Sequence, residues 1–374
     1  MALTFAEDDK GILPDRMIAA LAAAGGIVPA RPFAPDQIQP ASLDLRLGTV
    51  AYRVRASFLP GRTTVRERIE SLKLHEFSLA DGAVLETGCV YIVPLLERLA
   101  LPNDVAAAAN PKSSTGRLDV FTRVIADETR GFDRIEAGYR GPLYAEISPR
   151  TFPVLVREGS RLSQIRFRHG HAQLTAEELR DLHARERLVD DAAADVSEGV
   201  VFSVDLSGNL LAPVPGGRSG IVGYRAKRHT GLIDVERRAG YGVADFWEPI
   251  EARPDKSLIL DPNEFYILAS KEAVQVPPGY AAEMVPFDPL VGEFRVHYAG
   301  FFDPGFGYAG AGGTGSRAVL EVRSREVPFI LEHGQIVGRL VYEKMLAPPD
   351  TLYGSGIGSN YQAQSLKLSK HFRG

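Results

Sequence analysis

Along much of the first half of this chain, apolar and polar residues alternate with a period of two. SLDLRLG (42–48) is the clearest case. Successive side chains of a strand point to opposite faces, so this alternation predicts a strand with one buried side. The runs at 50–56, 90–96, 143–148 and 152–158 read the same way, and Gly and Pro punctuate them as in antiparallel sandwiches and barrels. Helical signals are few. One covers 14–24, with Asp15 near its start and Gly25-Gly26 at its end. The other covers 174–188, where Thr175 is a plausible N-cap and Leu174, Leu179, Leu182 and Leu188 share a side. The acidic, Ala-rich stretch 189–199 then reads as a linker.

The pattern recurs. Shifting the chain by 175 residues lays 83–114 on 258–289 without a gap, and Leu85, Tyr91, Ile92, Glu97, Pro102, Ala106, Ala107 and Pro111 meet identical residues. The same shift lays 144–167 on 319–342, matching Glu146 with Glu321, Arg150 with Arg325, Pro153 with Pro328 and Gly159 with Gly334. One offset across two separated blocks identifies an internal duplication. SLDLRLG has a weaker echo in FSVDLSG (202–208). The predicted organisation is therefore all-β with a few short helices, divided into copies at 1–195 and 196–374.

Composition narrows the chemistry. The 374 residues are 45% hydrophobic and 24% charged, as in an ordinary globular protein. The net charge of −4 gives no basic excess for a long nucleic-acid footprint. A single cysteine, Cys89 in an apolar run, can form neither an internal disulfide nor a Cys/His zinc framework. No secretory signal or bilayer-spanning run is seen, so the expected location is the cytoplasm and no membrane partner is expected.

Polar chemistry concentrates in copy one. Lys112-Ser113-Ser114-Thr115-Gly116-Arg117 puts two cations, three hydroxyls and a glycine within six residues, suited to holding phosphates through charge-assisted hydrogen bonds. It lacks P-loop spacing, and a solvated Ser/Thr turn is the alternative. In a strand, Tyr144, Glu146 and Ser148 share one face and Leu143, Ala145 and Ile147 the other. A carboxylate among apolar residues is a candidate general base; the alternatives are an exposed strand carboxylate or a structural pair with Arg150. Residues 134–141 (RIEAGYRG) read as a strand end and a turn. In copy two the phosphate-type segment becomes Pro286-Phe287-Asp288-Pro289-Leu290-Val291-Gly292-Glu293, so that copy is expected to keep the fold without the activity. The tail at 354–364 is Gly/Ser-rich, then aromatic and polar; it reads as a mobile arm or a disordered end.

Together these segments resemble the dCTP deaminase branch of the deoxyuridine triphosphatase superfamily. PKSSTGRL (111–118) resembles the family's nucleotide loop, Arg-Ser-Ser-x-x-Arg-Leu. RIEAGYRG (134–141) resembles its Arg-Ile-Asp-Pro-Gly-Trp-x-Gly turn, and 141–146 with 157–159 its Gly-x-x-x-Leu-Glu and Pro-Gly strand pair. The opening helix, SLDLRLG and LALPND resemble its first half, and the segment Asn360 to Gln364 its closing arm. The resemblance implies two tandem distorted jelly-roll barrels and zinc-independent hydrolysis of dCTP to dUTP and ammonia. It implies Glu146 as the base that activates water, supported by Arg117 and Ser113. Lys112, Ser113 and Ser114 would line the triphosphate, with Arg134 and Glu136 in the substrate turn and Glu136 near the deoxyribose. Tyr361 and Gln364 would close over the nucleotide. Mg²⁺ would ride on the triphosphate, and the sites would lie between barrels of a homotrimer. Lys112 and Glu136 replace a family arginine and aspartate, and 125–133 is longer than its counterpart, which bears on base recognition. A dUTP diphosphatase, a deaminase that also releases diphosphate, or a non-catalytic nucleotide-binding regulator are the competing functions; in a diphosphatase Glu136 would matter more than Glu146.

Overall fold

In a computed structural model, residues 5–6, 9–191, 194–211, 220–286, 294–297, 300–311, 315–324, 326–354 and 365–373 are described. The chain forms two compact units. The first takes Met1–Ala172 together with Gly231–Arg238 and Lys344–Thr351; the second takes the rest.

Two six-stranded sheets build the first unit. One runs Arg134–Ile135, Val105–Pro111, Ser163–His169, Ser42–Leu45, Ile38–Gln39, with Gly11–Ile12 also on Ser163–His169. The other runs Val120–Ala126, Arg140–Pro149, Val90–Ala100, Val50–Val54, Lys73–Ser78, with Ile27–Pro29 also on Val90–Ala100. The strands predicted at 42–48, 50–56, 90–96 and 143–148 all lie in these sheets. The 152–158 strand, Val154–Val156, instead joins a three-stranded sheet with Ala83–Leu85 and the parallel Ile233–Asp234.

Arg140–Pro149 is central to its sheet and buried on both faces. Leu143, Ala145 and Ile147 face one side and are fully or almost fully buried. The other side carries Tyr144, which packs in a cluster with Ile92, Ile125, Val54, Phe58, Val65 and Ile69. Val65 and Ile69 belong to the helix Val65–Leu72, which covers this face. That helix opens with a capping box: Thr64 Oγ1 accepts from Glu67 N at 3.2 Å, and the Glu67 carboxylate accepts from Thr64 N at 2.8 Å.

The second unit contains a four-stranded, a five-stranded and a two-stranded sheet around a core that includes Phe202, Tyr266, Leu268, Leu320 and Tyr342. The helix expected at 174–188 is Ala176–Glu186, with the expected Thr175 cap and with Leu179 and Leu182 buried. The opening helix spans Asp15–Ala23. Part of the stretch read as a linker is packed: Val189 is buried, and Asp190 N donates to Ala273 O while Asp190 Oδ1 accepts from Ala273 N.

The duplication is visible in hydrogen bonds as well as letters. Tyr91 Oη accepts from Glu86 N at 3.1 Å, and Tyr266 Oη from Asp261 N at 2.9 Å. Buried Glu97 accepts Arg46 N at 2.8 Å, and Glu272 accepts Ser203 N at 2.7 Å. Gly159 and Gly334, at φ 85° and 82°, donate to Leu47 O and Val204 O. Register corrects one detail. Ser163 pairs with Leu45 and Gly338 with Phe202. SLDLRLG therefore matches residues 199–205, three earlier than the FSVDLSG echo.

Candidate active site

Residues 112–117 do not form a solvated loop. Ser113–Gly116 is a single helical turn, with Lys112 extended before it and Arg117 closing it. Thr115 N and Gly116 N donate to Lys112 O at 2.8 and 3.0 Å, and Arg117 N to Ser113 O at 3.1 Å. Ser114, Thr115 and Arg117 are buried, and Ser113 is half-buried. Lys112 Nζ is ion-paired with the buried carboxylate of Asp44, which lies 3.5 Å from Arg161 Nη1 as well. Arg161 also pairs with Asp36 at 3.0 Å, and this hydrogen bond holds the Asp36 carboxyl below its usual range. The cationic end of the segment is thus part of an alternating acid–base cluster.

Glu146 lies on Arg140–Pro149, in register with Arg123 of Val120–Ala126 on one side and Ile92 on the other. Its side chain is 2% exposed. It is neither an exposed carboxylate nor a partner of Arg150; it is buried and ion-paired with Arg123. Arg123 Nε donates to Oε1 at 3.1 Å, and Nη2 donates to the same oxygen. Arg123 Nη2 also reaches Ser57 Oγ at 3.0 Å. The guanidinium carbon sits 3.4 Å from the Phe132 ring centroid and 4.6 Å from that of Phe121, in cation–π range. Oε2 of Glu146 is buried with no hydrogen-bond partner among the described residues.

Arg134 and Glu136 are exposed, at the end of Arg134–Ile135 and the start of the following turn. Tyr139 N donates to Glu136 O at 3.2 Å, and Gly138 takes φ 76°, where an added Cβ would meet Asn103 Oδ1 at 2.9 Å. Tyr139 Oη donates to Pro142 O at 2.7 Å and accepts from Asp127 N at 3.0 Å. The long 125–133 stretch is tied to the covering segment: Asp127 Oδ1 caps Val65 N at 2.7 Å, and Gly61 N donates to Thr129 O at 3.0 Å.

Tyr361 and Gln364 lie outside the described residues, as do Asp288, Pro289 and Glu293 of copy two. Glu321 is buried on Ser316–Ser324, in register with Ile267 and His297, so the strand position of Glu146 is repeated. Sequence reading missed Arg123, Phe132, Ser57 and Asp44. Arg123 sits in an alternating run, VFTRVIA, but only the strand register shows which residue faces Glu146. Among the described residues, no group of three or more His, Cys, Asp or Glu is placed to hold a metal ion, and no helix is long and apolar enough to cross a membrane.

Comparison with known proteins gives a consistent result. The family model for the 2'-deoxycytidine 5'-triphosphate deaminase N-terminal domain matches residues 9–171, and that for the C-terminal domain matches 175–372. The crystal structure of 2'-deoxycytidine 5'-triphosphate deaminase from Agrobacterium tumefaciens is similar with a TM-score of 0.87 and 63% identity, covering 94% of this chain and 100% of that one. A "dCTP deaminase, dUMP-forming" of Methanoculleus marisnigri is 34% identical over 139 residues, 36% of this chain and 69% of its own. A "dCTP deaminase" of Haloarcula marismortui is 34% identical over 137 residues, 36% of this chain and 67% of its own. With both of the family's domains matched in tandem and a solved member aligned over nearly its whole length, the chain belongs to the dCTP deaminase family of enzymes.

Proposed function

We infer that the chain converts dCTP and water to dUTP and ammonia, with Glu146 as general base. The observation that supports this reading is the asymmetry of one buried carboxylate: Oε1 is tied to Arg123, while Oε2 makes no hydrogen bond to the described residues. Water adds through oxygen to C4 of the cytosine and gives one proton to Oε2 of Glu146. That proton then passes to the C4 amino group, the C–N bond breaks and ammonia leaves. The remaining hydroxyl proton ends on N3, which gives the uracil ring. In this reading Ser113 and Arg117 support the water and the carboxylate. Lys112, Ser113 and Ser114 receive the triphosphate, Lys112 exchanging part of its contact with Asp44 for phosphate. Arg134 and Glu136 contact the nucleotide at the turn, and Tyr361 and Gln364 close over it. Mg²⁺ arrives on the triphosphate as part of the substrate. The 1–195 copy does the chemistry, the 196–374 copy is a degenerate barrel, and the chain assembles as a homotrimer.

The name of the Methanoculleus marisnigri relative favours one further reading, in which diphosphate is also released and the product is dUMP. A second water then attacks the α-phosphate, with the exposed carboxylate of Glu136 as its activator.

The test is to incubate wild type and Glu146→Gln with dCTP and, separately, dUTP, assaying ammonia and diphosphate independently. The amide is nearly isosteric but cannot take a proton, so ammonia release should fall by about 10²- to 10⁴-fold while dCTP still binds. Near-wild-type release from the variant would remove Glu146 as the base. Diphosphate release that survives Glu146→Gln but is lost in Glu136→Gln would select the dUMP-forming reading.

A further inference from the structure

We propose that Arg123 is a positioning residue for this reaction: it locks Oε1 of Glu146 so that Oε2 alone is presented to the attacking water. The inference rests on the reading of Glu146 as the base.

Four residues hold the arginine. Two of its N–H groups, on Nε and Nη2, converge on one carboxylate oxygen. Nη2 is shared with Ser57 Oγ at 3.0 Å. The guanidinium is packed against Phe132 and Phe121, at 3.4 and 4.6 Å from their centroids. These partners come from four places in the chain: the segment before the Val65–Leu72 helix, the 127–133 loop, the arginine's own strand and the neighbouring strand Arg140–Pro149. Arg123 and Glu146 are direct cross-strand neighbours, so the backbone register sets their separation before any side chain moves.

A free carboxylate can rotate and offer either oxygen. Here rotation would break both arginine bonds, so the acceptor direction is fixed. Proton transfer is sensitive to such placement, and a displacement of an ångström can cost about 10²-fold in rate. A lysine would keep the charge but not the two-point hold, because its ammonium is a single compact donor on a flexible stem.

Three variants test the proposal: Arg123→Gln, Arg123→Lys and Arg123→Ala. In Arg123→Gln, kcat for ammonia release should fall by about 10²-fold with KM within about threefold of wild type, since the base is misplaced for proton transfer while the groups that bind the nucleotide are untouched. Arg123→Lys should recover only part of that loss. In Arg123→Ala, added guanidinium ion should enter the space beside Phe121 and Phe132 and restore kcat by about tenfold or more. Removing the cation strands a buried carboxylate and can unfold the protein. The effect is therefore also measured in the Glu146→Gln background, where no such charge remains. There, adding Arg123→Gln should leave the Kd for dCTP unchanged. A kcat within about threefold of wild type in Arg123→Gln would overturn the inference, as would a loss carried by KM or a weaker Kd in the double variant. If Glu146→Gln is inactive and Arg123→Gln is not, only this inference falls; if Glu146→Gln keeps its activity, the base reading falls with it.

Discussion

A carboxylate among apolar neighbours can be read from sequence; what it is bound to cannot. The flanks of Glu146 suggested burial because Leu143, Ala145 and Ile147 fill one face of a strand, and the side chain is indeed covered. Its partner Arg123 lies 23 positions away across a hairpin whose loop length sets the register, and no local pattern encodes that. Tyr139 teaches the same lesson from the other direction. As a letter it was only part of a turn, yet its hydroxyl bridges Asp127 N to Pro142 O, and burial pushes its phenol up to about 12. An unfolded tyrosine ionises near 10, so between about pH 10 and 12 the unfolded chain has lost this proton and the folded chain has kept it. Stability from this group is therefore intact below pH 10 and falls as pH rises through that window. Chemical denaturation of wild type and Tyr139→Phe from pH 8 to 11.5 should show a steeper alkaline loss in wild type. At pH 8 the variant should be less stable by about 1–3 kcal/mol, because an N–H and a C=O lose their partner. Parallel pH curves would show that the phenol does not carry this dependence.

At the scale of elements, legibility followed length and flanking chemistry. The helix Ala176–Glu186 was readable because its leucines recur at helical spacing behind a Thr175 cap. Val65–Leu72 carries an equivalent signature, Thr64 with Glu67 three residues on and Val65, Ile69 and Leu72 on one side. Its periodicity is weak in sequence because it is two turns long and passes directly into the strand Lys73–Ser78. Both capping boxes are complete, but their consequences differ. The second helix packs Leu179 and Leu182 into a large core, whereas Val65 and Ile69 close a small cluster over the face that carries Glu146. So short a helix has little intrinsic stability and depends on its ends and its packing. Thr64→Ala removes the side-chain acceptor for Glu67 N and should cost about 1 kcal/mol. The loss should concentrate locally: amide exchange over 65–72 should accelerate more than exchange over Ala176–Glu186. Equal acceleration in both helices would mean that the cap supports the unit as a whole rather than this cover.

For the whole molecule, the repeat was legible because framework residues are held by geometry that both copies need. Glu97 and Glu272 each accept a backbone N–H at the same place, and Gly159 and Gly334 each take the left-handed conformation that favours glycine. Polar positions with no such duty have diverged: Asp44, partner of Lys112, corresponds by register to Val201. The assignment of 231–238 and 344–351 to the first unit was not legible, since an eight-residue segment shows no periodicity that tells which sheet it joins. There, Arg157 holds Asp234 at 2.7 and 2.9 Å, and Leu346 N donates to Ile12 O. The C-terminus needs the same distinction. The arm was expected around Tyr361 and Gln364, but residues 365–373 belong to the second unit's framework. Phe372 is buried against Tyr241, Phe246 and Trp247, and Lys370 O and His371 O accept backbone N–H bonds from 239–241. Deleting the last ten residues should therefore lower the melting temperature, because losing a buried Phe side chain alone costs about 3–5 kcal/mol. Tyr361→Ala with Gln364→Ala leaves that cluster intact. If the arm closes over the nucleotide, the double substitution should raise the KM for dCTP by about tenfold or more at an unchanged melting temperature, about 1.4 kcal/mol of lost binding. Full kcat/KM in the double variant would place both residues outside the site.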